Sequence, residues 1–289
     1  MPSLAEPEVE EQAKQSKRRP LIEVVSHCYA AELPQYAAFL VYQASSLVLH
    51  KPRSCDVCLS VCVWSEKENP DDLTELLAAA APPMPWRVAD PNVAKVLPWV
   101  KQTLIEHGVG WSVCHLTRGE IGRRCIGRNR LALASEADIV WFADVDQVFR
   151  DGVLDRLATM EWPEGASMIH PREIMIHRDH KTGDTLVRDV PVESLFVYGP
   201  FDVNPAEFVP KRYNRAIGGV QIIRGDFARK HGYLNGDEKW RAVLRPFGDF
   251  RDDVAYRRFC SERGAIVAVN LPGVFRLRHA RTTYQEDKK

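Results

Sequence analysis

An α/β fold, built on a single Rossmann-like, mostly parallel sheet with helices on both faces, is predicted by two observations. Up to about residue 150, short apolar β-like runs alternate with segments of helical periodicity. One of those runs, Ile139 to Ala143, delivers two carboxylates at its end, Asp144 and Asp146, separated by one aliphatic residue. Side chains at i and i+2 of a strand point the same way, so both can reach one divalent cation or one edge of a phosphorylated ligand.

Each element has its own signal. Leu21 to Cys28 reads as a first strand, and Leu33 to Leu49 as a helix that tolerates Pro34 in its first turn. Asp56 to Trp64 is a second strand. Asp71 and Asp72 start a short helix that Pro82-Pro83 ends. Arg87 to Ala89 adds a short strand, Val93 to His107 a helix, and Trp111 to Leu116 a further strand. Arg123 to Ala137 forms a helix that feeds the strand Asp138 to Ala143. Strand ends then gather Ser26, His27, Ser65, Glu66, Asp144 and Asp146 on one rim, where open α/β sheets bind ligands. No glycine fingerprint follows the first strand and no phosphate-binding G-x-x-x-x-G-K-[ST] occurs, which counts against dinucleotide and P-loop folds.

Beyond a short helix over Gly152 to Met160 the texture changes. Met168 to His170, Ile174 to His177 and Leu195 to Tyr198 read as β segments between polar loops. Tyr198 to Tyr213, rich in Pro, Phe and Asn, reads as a flap. Ala216 to Arg224 is a glycine-marked strand, Asp226 to His231 a helix, Asp252 to Arg263 a helix closed by Gly264, and Ala265 to Asn270 a last strand.

The chain has 289 residues, with Lys+Arg and Asp+Glu equal at 39 each, so no whole-molecule field directs it to nucleic acid or acidic lipid. Arginine is dense locally, around Arg118 to Arg130, Arg241 to Arg263 and Arg276 to Arg281, a pattern that suits phosphate contacts and equally a solvated surface. Residues 1–20 are polar, lack the apolar segment of a signal peptide and read as a disordered lead-in; residues 282–289 read as a flexible tail. No stretch is long and apolar enough to span a bilayer. The seven cysteines suit a reducing compartment, and a cytoplasmic location is expected. Cys55, Cys58 and Cys62 lack a second pair at ligand spacing and read as small buried thiols rather than a zinc site.

Four ordered segments, GRNRLALASEADIVWFADVDQVF, IGGVQIIRGDFARKHGYLNG, FGDFRDDVAYRRFCSERG and FRLRHARTTY, resemble the GT-A glycosyltransferases, in particular the family 2-like inverting enzymes and galactosyltransferase catalytic domains. The resemblance implies a GT-A-like fold with a nucleotide-sugar-binding half over 21–150 and an acceptor-binding and catalytic half, a C-terminal extension, over 151–281. It implies Asp144, Asp146 and His279 as ligands of Mn²⁺ (or Mg²⁺). Asp252 or Asp253 would be the base that takes the acceptor proton. Mixed carboxylate and imidazole ligation favours Mn²⁺. Ser26, His27, Glu66, Arg128 and Asn129 are expected to join the two carboxylates on the donor, and Gly218, Gly219 and Trp240 to face the acceptor.

The activity so implied is metal-dependent transfer of a sugar, with inversion, from a nucleotide-sugar, by default a UDP-sugar. The acceptor hydroxyl belongs to a glycan, lipid-linked intermediate, protein or small molecule, with modified nucleic acid the least favoured partner. Two alternatives stand beside it. A sugar-phosphate nucleotidyltransferase also uses paired carboxylates on an α/β sheet, but its triphosphate-binding loop is missing. A noncatalytic nucleotide-sugar or glycan-binding protein has no need of Asp144, Asp146, Asp252 and His279 together.

Overall fold

The computed structural model describes residues 18–28, 34–67, 86–187, 190–195, 197–234 and 252–277. β1 (Leu21–His27) lies at the centre of an eight-stranded sheet, with β2 (Asp56–Lys67) and β5 (Ile139–Ala143) parallel to it on either side. The long β2 carries two further partners end to end. β4 (Gly110–Leu116) runs parallel along Cys58 to Trp64, and β3 (Trp86–Val88) antiparallel along Ser65 to Lys67. On the other side, β10 (Val220–Arg224) runs antiparallel to β5, followed by β7 (Ala166–Pro171) and β11 (Ala265–Val269). The expected α/β architecture, a mostly parallel mixed sheet flanked by helices, is therefore present.

Alternation along the strands sorts the core into two faces. Ile22, Val24, Trp141 and Ile222 pack with α1 (Pro34–Leu49) and α2 (Pro91–Glu106). Val25, Val140, Phe142 and Ile223 pack on the opposite face with α4 (Arg124–Ala134), α8 (Gly225–His231) and α9 (Asp252–Ser261). Local chemistry sets helix starts: Asp90 accepts from the amides of Asn92 and Val93 ahead of α2, whose first residue is Pro91. The helix expected over 123–137 is present as α4 (Arg124–Ala134), and a short helix that the sequence pattern does not predict precedes it. A Thr117/Glu120 capping box starts α3 (Arg118–Ile121), and α4 follows from Arg124.

A second sheet of four short strands was not foreseen. β6 (Gln147–Phe149) pairs with β12 (Val274–Arg276), which pairs with β8 (Glu173–His177) and that with β9 (Phe208–Arg212). β9 takes the end of the segment read as a flap, because Phe208 buries its ring against His177 and Phe275. α5 (Val153–Thr159) and α6 (His180–Val187) complete this region. The strand expected at Leu195 to Tyr198 is instead the end of α7 (Val192–Leu195), started by a turn from Pro191, with Val197 and Tyr198 exposed beyond it. Among the described residues no helix is long and apolar enough to cross a membrane. The helix expected from Asp71 lies outside the described residues.

Candidate active site

β5 stops at Ala143, and Asp144 to Asp146 form a turn closed by the Gln147 amide donating to the Asp144 carbonyl at 3.1 Å. The two carboxylates are thus brought together by a turn rather than by strand alternation. Arg276 lies against both, with Nε 2.9 Å from Asp146 Oδ2 and Nη2 3.9 Å from Asp144 Oδ2. β12 fixes this approach: Arg276 pairs with Gln147 across the second sheet, and the Leu277 amide donates to the Asp146 carbonyl at 2.8 Å.

Below the turn, α4 supplies two guanidinium groups one helical turn apart. Arg124 bridges Asp144 Oδ1 and Asp252 Oδ1, at 3.2 Å each. Arg128 is wholly buried and donates to the carbonyls of Gly218 (2.8 Å) and Ala143 (3.2 Å), and to Asp144 Oδ1 and Tyr233 Oη at 3.4 Å each. Tyr233 passes the network on by donating to Gln221, whose amide donates to the Asp253 carbonyl. Burial alone would push the Asp144 carboxyl up; Arg124, Arg276 and Arg128 outweigh it and hold it below the usual carboxylate range.

Gly218 and Gly219 sit in the turn that enters β10. A Cβ on Gly219 would stand 2.6 Å from Asp144 Oδ2 and 2.7 Å from Gln147 Nε2, and one on Gly218 would stand 2.9 Å from Arg124 Nη1. The glycine pair therefore makes room for the ion cluster. Gln147 is almost fully buried at this place, and neither polar atom of its amide has a partner among the described residues.

A cleft of about 200 Å³ opens here, lined by His27, Tyr36, Phe39, Arg124, Asp144, Val145, Asp146 and Arg276. His27 is buried at the end of β1, its Nε2 donating to the Ile121 carbonyl at 2.6 Å. Burial lowers its pKa to about 3, with the nearby Arg128 and Arg124 adding to the shift and the Ile121 carbonyl opposing it. The folded protein therefore keeps His27 neutral, whereas the unfolded chain protonates it below its ordinary value near 6.5. Stability is full above that value and is lost as pH falls from it towards 3. Between pH 7 and pH 5 this one group is expected to remove about 2 kcal/mol. Urea unfolding at the two pH values checks it: His27→Gln should lack that share of the wild-type loss.

The other expected site residues fall into distinct places. The buried Ser26 hydroxyl donates to Gln43 at 2.6 Å, and the Gln43 amide donates to the Asp144 carbonyl at 3.2 Å. Asn129 accepts from the Tyr233 amide at 2.9 Å. Glu66 is exposed on β2, opposite Arg87, and is not among the residues lining the cleft. Asp252 is buried at the start of α9, accepting also from the Cys125 amide at 3.2 Å, and Asp253 is half-buried beside it. Trp240 and His279 lie outside the described residues. Arg124, Arg276 and Gln147 were missed by the sequence reading. Arg124 was detectable as the residue four positions before Arg128 on one helix face.

Among the described residues, no group of three or more His, Cys, Asp or Glu side chains is arranged to hold a metal ion. No protein-family model matches the chain, and no curated protein matches it in sequence. Among solved structures it is similar to a mannosyltransferase from Pyrobaculum calidifontis in complex with GDP-Man and Mn²⁺, at 10% identity and a TM-score of 0.47. That alignment covers 92% of this chain and 59% of the mannosyltransferase, so the chain spans less than two thirds of that protein's length.

Proposed function

We propose that the chain is a GT-A-like glycosyltransferase that moves a sugar from a nucleotide-sugar donor, UDP-sugar first among the candidates, to an acceptor hydroxyl with inversion. One observation carries the reading. Two carboxylates from the turn after a central parallel strand share a cleft with two arginines, and one of those arginines reaches a third carboxylate on a separate helix. The four ordered sequence segments that resemble this enzyme class supply Asp144, Asp146, Asp252 and Arg276 of that cluster, and Arg124 lies three residues before the first of them.

The residues fit a divalent cation of the kind a protein holds jointly with a diphosphate. Such an ion needs only one or two carboxylates besides phosphate oxygens. Asp144 and Asp146 provide them, and the unpartnered Gln147 amide is buried beside them. When bound, Mn²⁺ or Mg²⁺ would neutralise charge on the departing nucleoside diphosphate. His279 is kept as a third ligand by resemblance alone. His27 shapes the floor of the donor cleft, while Ser26, Asn129 and Arg128 hold its walls in place. Arg124 ties the donor end, at Asp144, to the acceptor end, where Asp252 or Asp253 takes the hydroxyl proton. We place the protein in the cytoplasm because all seven of its cysteines are free thiols.

Calorimetric titration of UDP-, GDP- and dTDP-sugars, with Mn²⁺ or with a chelator, tests the reading. One nucleotide class is expected to bind with Mn²⁺ and to weaken at least about tenfold in Asp146→Ala, as loss of a cation ligand implies. Folded wild-type protein that binds none of them would end the proposal.

A further inference from the structure

The acidic turn already has a cation. Arg276 presents its guanidinium to both carboxylates, and the Asp146 carboxylate below it is far less exposed, 8% against 34% for the arginine side chain. The guanidinium therefore caps the pair on the side facing the cleft that all three residues line. Its backbone cannot drift away, because β12 is tied to the turn through the Arg276–Gln147 pair and the Leu277 amide. A change of partner would therefore have to come from its side chain.

Charge counting gives this arrangement a consequence. Arg124, Arg128 and Arg276 stand against Asp144, Asp146 and Asp252, so the described cluster is balanced as it is. A divalent ion entering alone would leave the cluster with excess positive charge and would have to displace Arg276 from Asp146. An ion arriving with a diphosphate brings compensating negative charge, and the displaced guanidinium gains phosphate oxygens in the fork geometry that suits it.

We infer that Arg276 is a resident counter-cation that makes binding of the divalent ion conditional on the donor diphosphate. The inference rests on the proposed metal-dependent donor site. The guanidinium holds the carboxylates together before the donor arrives, competes with free metal, and turns to the diphosphate once the ion is in place. The coupling is reciprocal, as any linkage between two bound species must be.

The test is Mn²⁺ binding, read by the electron paramagnetic resonance signal of the free ion, with and without UDP or GDP. Wild type, Arg276→Gln, Arg276→Met and Arg276→Lys are compared, with near-ultraviolet circular dichroism to check folding. In the absence of nucleotide, Arg276→Gln or Arg276→Met is expected to bind Mn²⁺ at least about tenfold more tightly than wild type, because one competing charge is gone. Arg276→Lys keeps the charge and is expected to stay within about threefold of wild type. Adding nucleoside diphosphate should tighten Mn²⁺ binding less in the neutral variants than in wild type, and an equal gain in both overturns the inference. Having two neutral variants protects the test against one of them failing to fold. Unchanged Mn²⁺ affinity in a folded neutral variant overturns the inference even if wild type binds nucleotide normally. If wild type binds no nucleotide under any condition, the proposed function falls, while the nucleotide-free Mn²⁺ comparison still decides the role of Arg276.

Discussion

Arg128→Met is expected to destabilise the protein by about 3 kcal/mol, at the lower end of the range for removing one member of a buried ion pair. Methionine fills the volume of the aliphatic stem, so packing is nearly conserved and the loss is electrostatic. The guanidinium is wholly buried against the rings of Phe142 and Tyr233, at 5.7 Å and 5.4 Å from their centroids. Removing it strips a donor from the carbonyls of Gly218 and Ala143 and from the Tyr233 hydroxyl. Asp144 keeps Arg124 and Arg276, which is why the cost stays at the lower end. Lysine should not rescue the protein, since a single ammonium cannot reproduce contacts made by a planar fork. Urea unfolding gives the result directly: the midpoint should fall with the slope unchanged. A loss below about 1 kcal/mol would show that Arg128 is not the strut between β5, β10 and α4.

The sequence carried the parallel half of the fold well, because buried strands such as Val24-Val25 and Val140 to Ala143 are apolar without interruption. Helices such as α2 were equally plain, marked by an Asp-Pro start. The second sheet was hidden for the converse reason. Strands as short as Gln147–Phe149 and Val274–Arg276 contain too few residues for a period to show, and their pairing joins positions far apart in the chain. The same distance concealed the site's counter-ions. The Asp144 and Asp146 pair is local and visible, but Arg276 reaches it only through β12, and its separation from Asp146 is 130 positions. For Arg128 the sequence shows the charge but not its burial. An arginine on an arginine-rich helix looks like a residue facing solvent or ligand, and only the carbonyls of Ala143 and Gly218 turn it into part of the interior.

Asp252→Asn is expected to lower kcat by about 10²–10⁴-fold, the usual loss on removing a general base, while donor affinity changes little. The two neighbouring carboxylates differ in how they are held. Asp252 is fixed by Arg124 and by the Cys125 amide, and Arg124 also grips Asp144. Its position is therefore locked to Asp144, the carboxylate proposed to serve the donor, as a base requires if it is to meet an acceptor oxygen at hydrogen-bond distance in a reproducible geometry. The Asp253 amide donates to Asp252 and its carbonyl accepts from Gln221, so its backbone is held, but among the described residues no hydrogen bond anchors its carboxylate. Asparagine at 252 can still accept from the Cys125 amide through its carbonyl oxygen, so the start of α9 should survive. Steady-state kinetics with the cognate donor, paired with calorimetric donor binding, separates the roles. A base variant loses kcat at unchanged donor affinity; a strut variant loses donor affinity, because freeing Arg124 disturbs Asp144. Asp253→Asn should stay within about tenfold of wild type in kcat, and a larger loss there than in Asp252→Asn would transfer the proton-accepting role to Asp253.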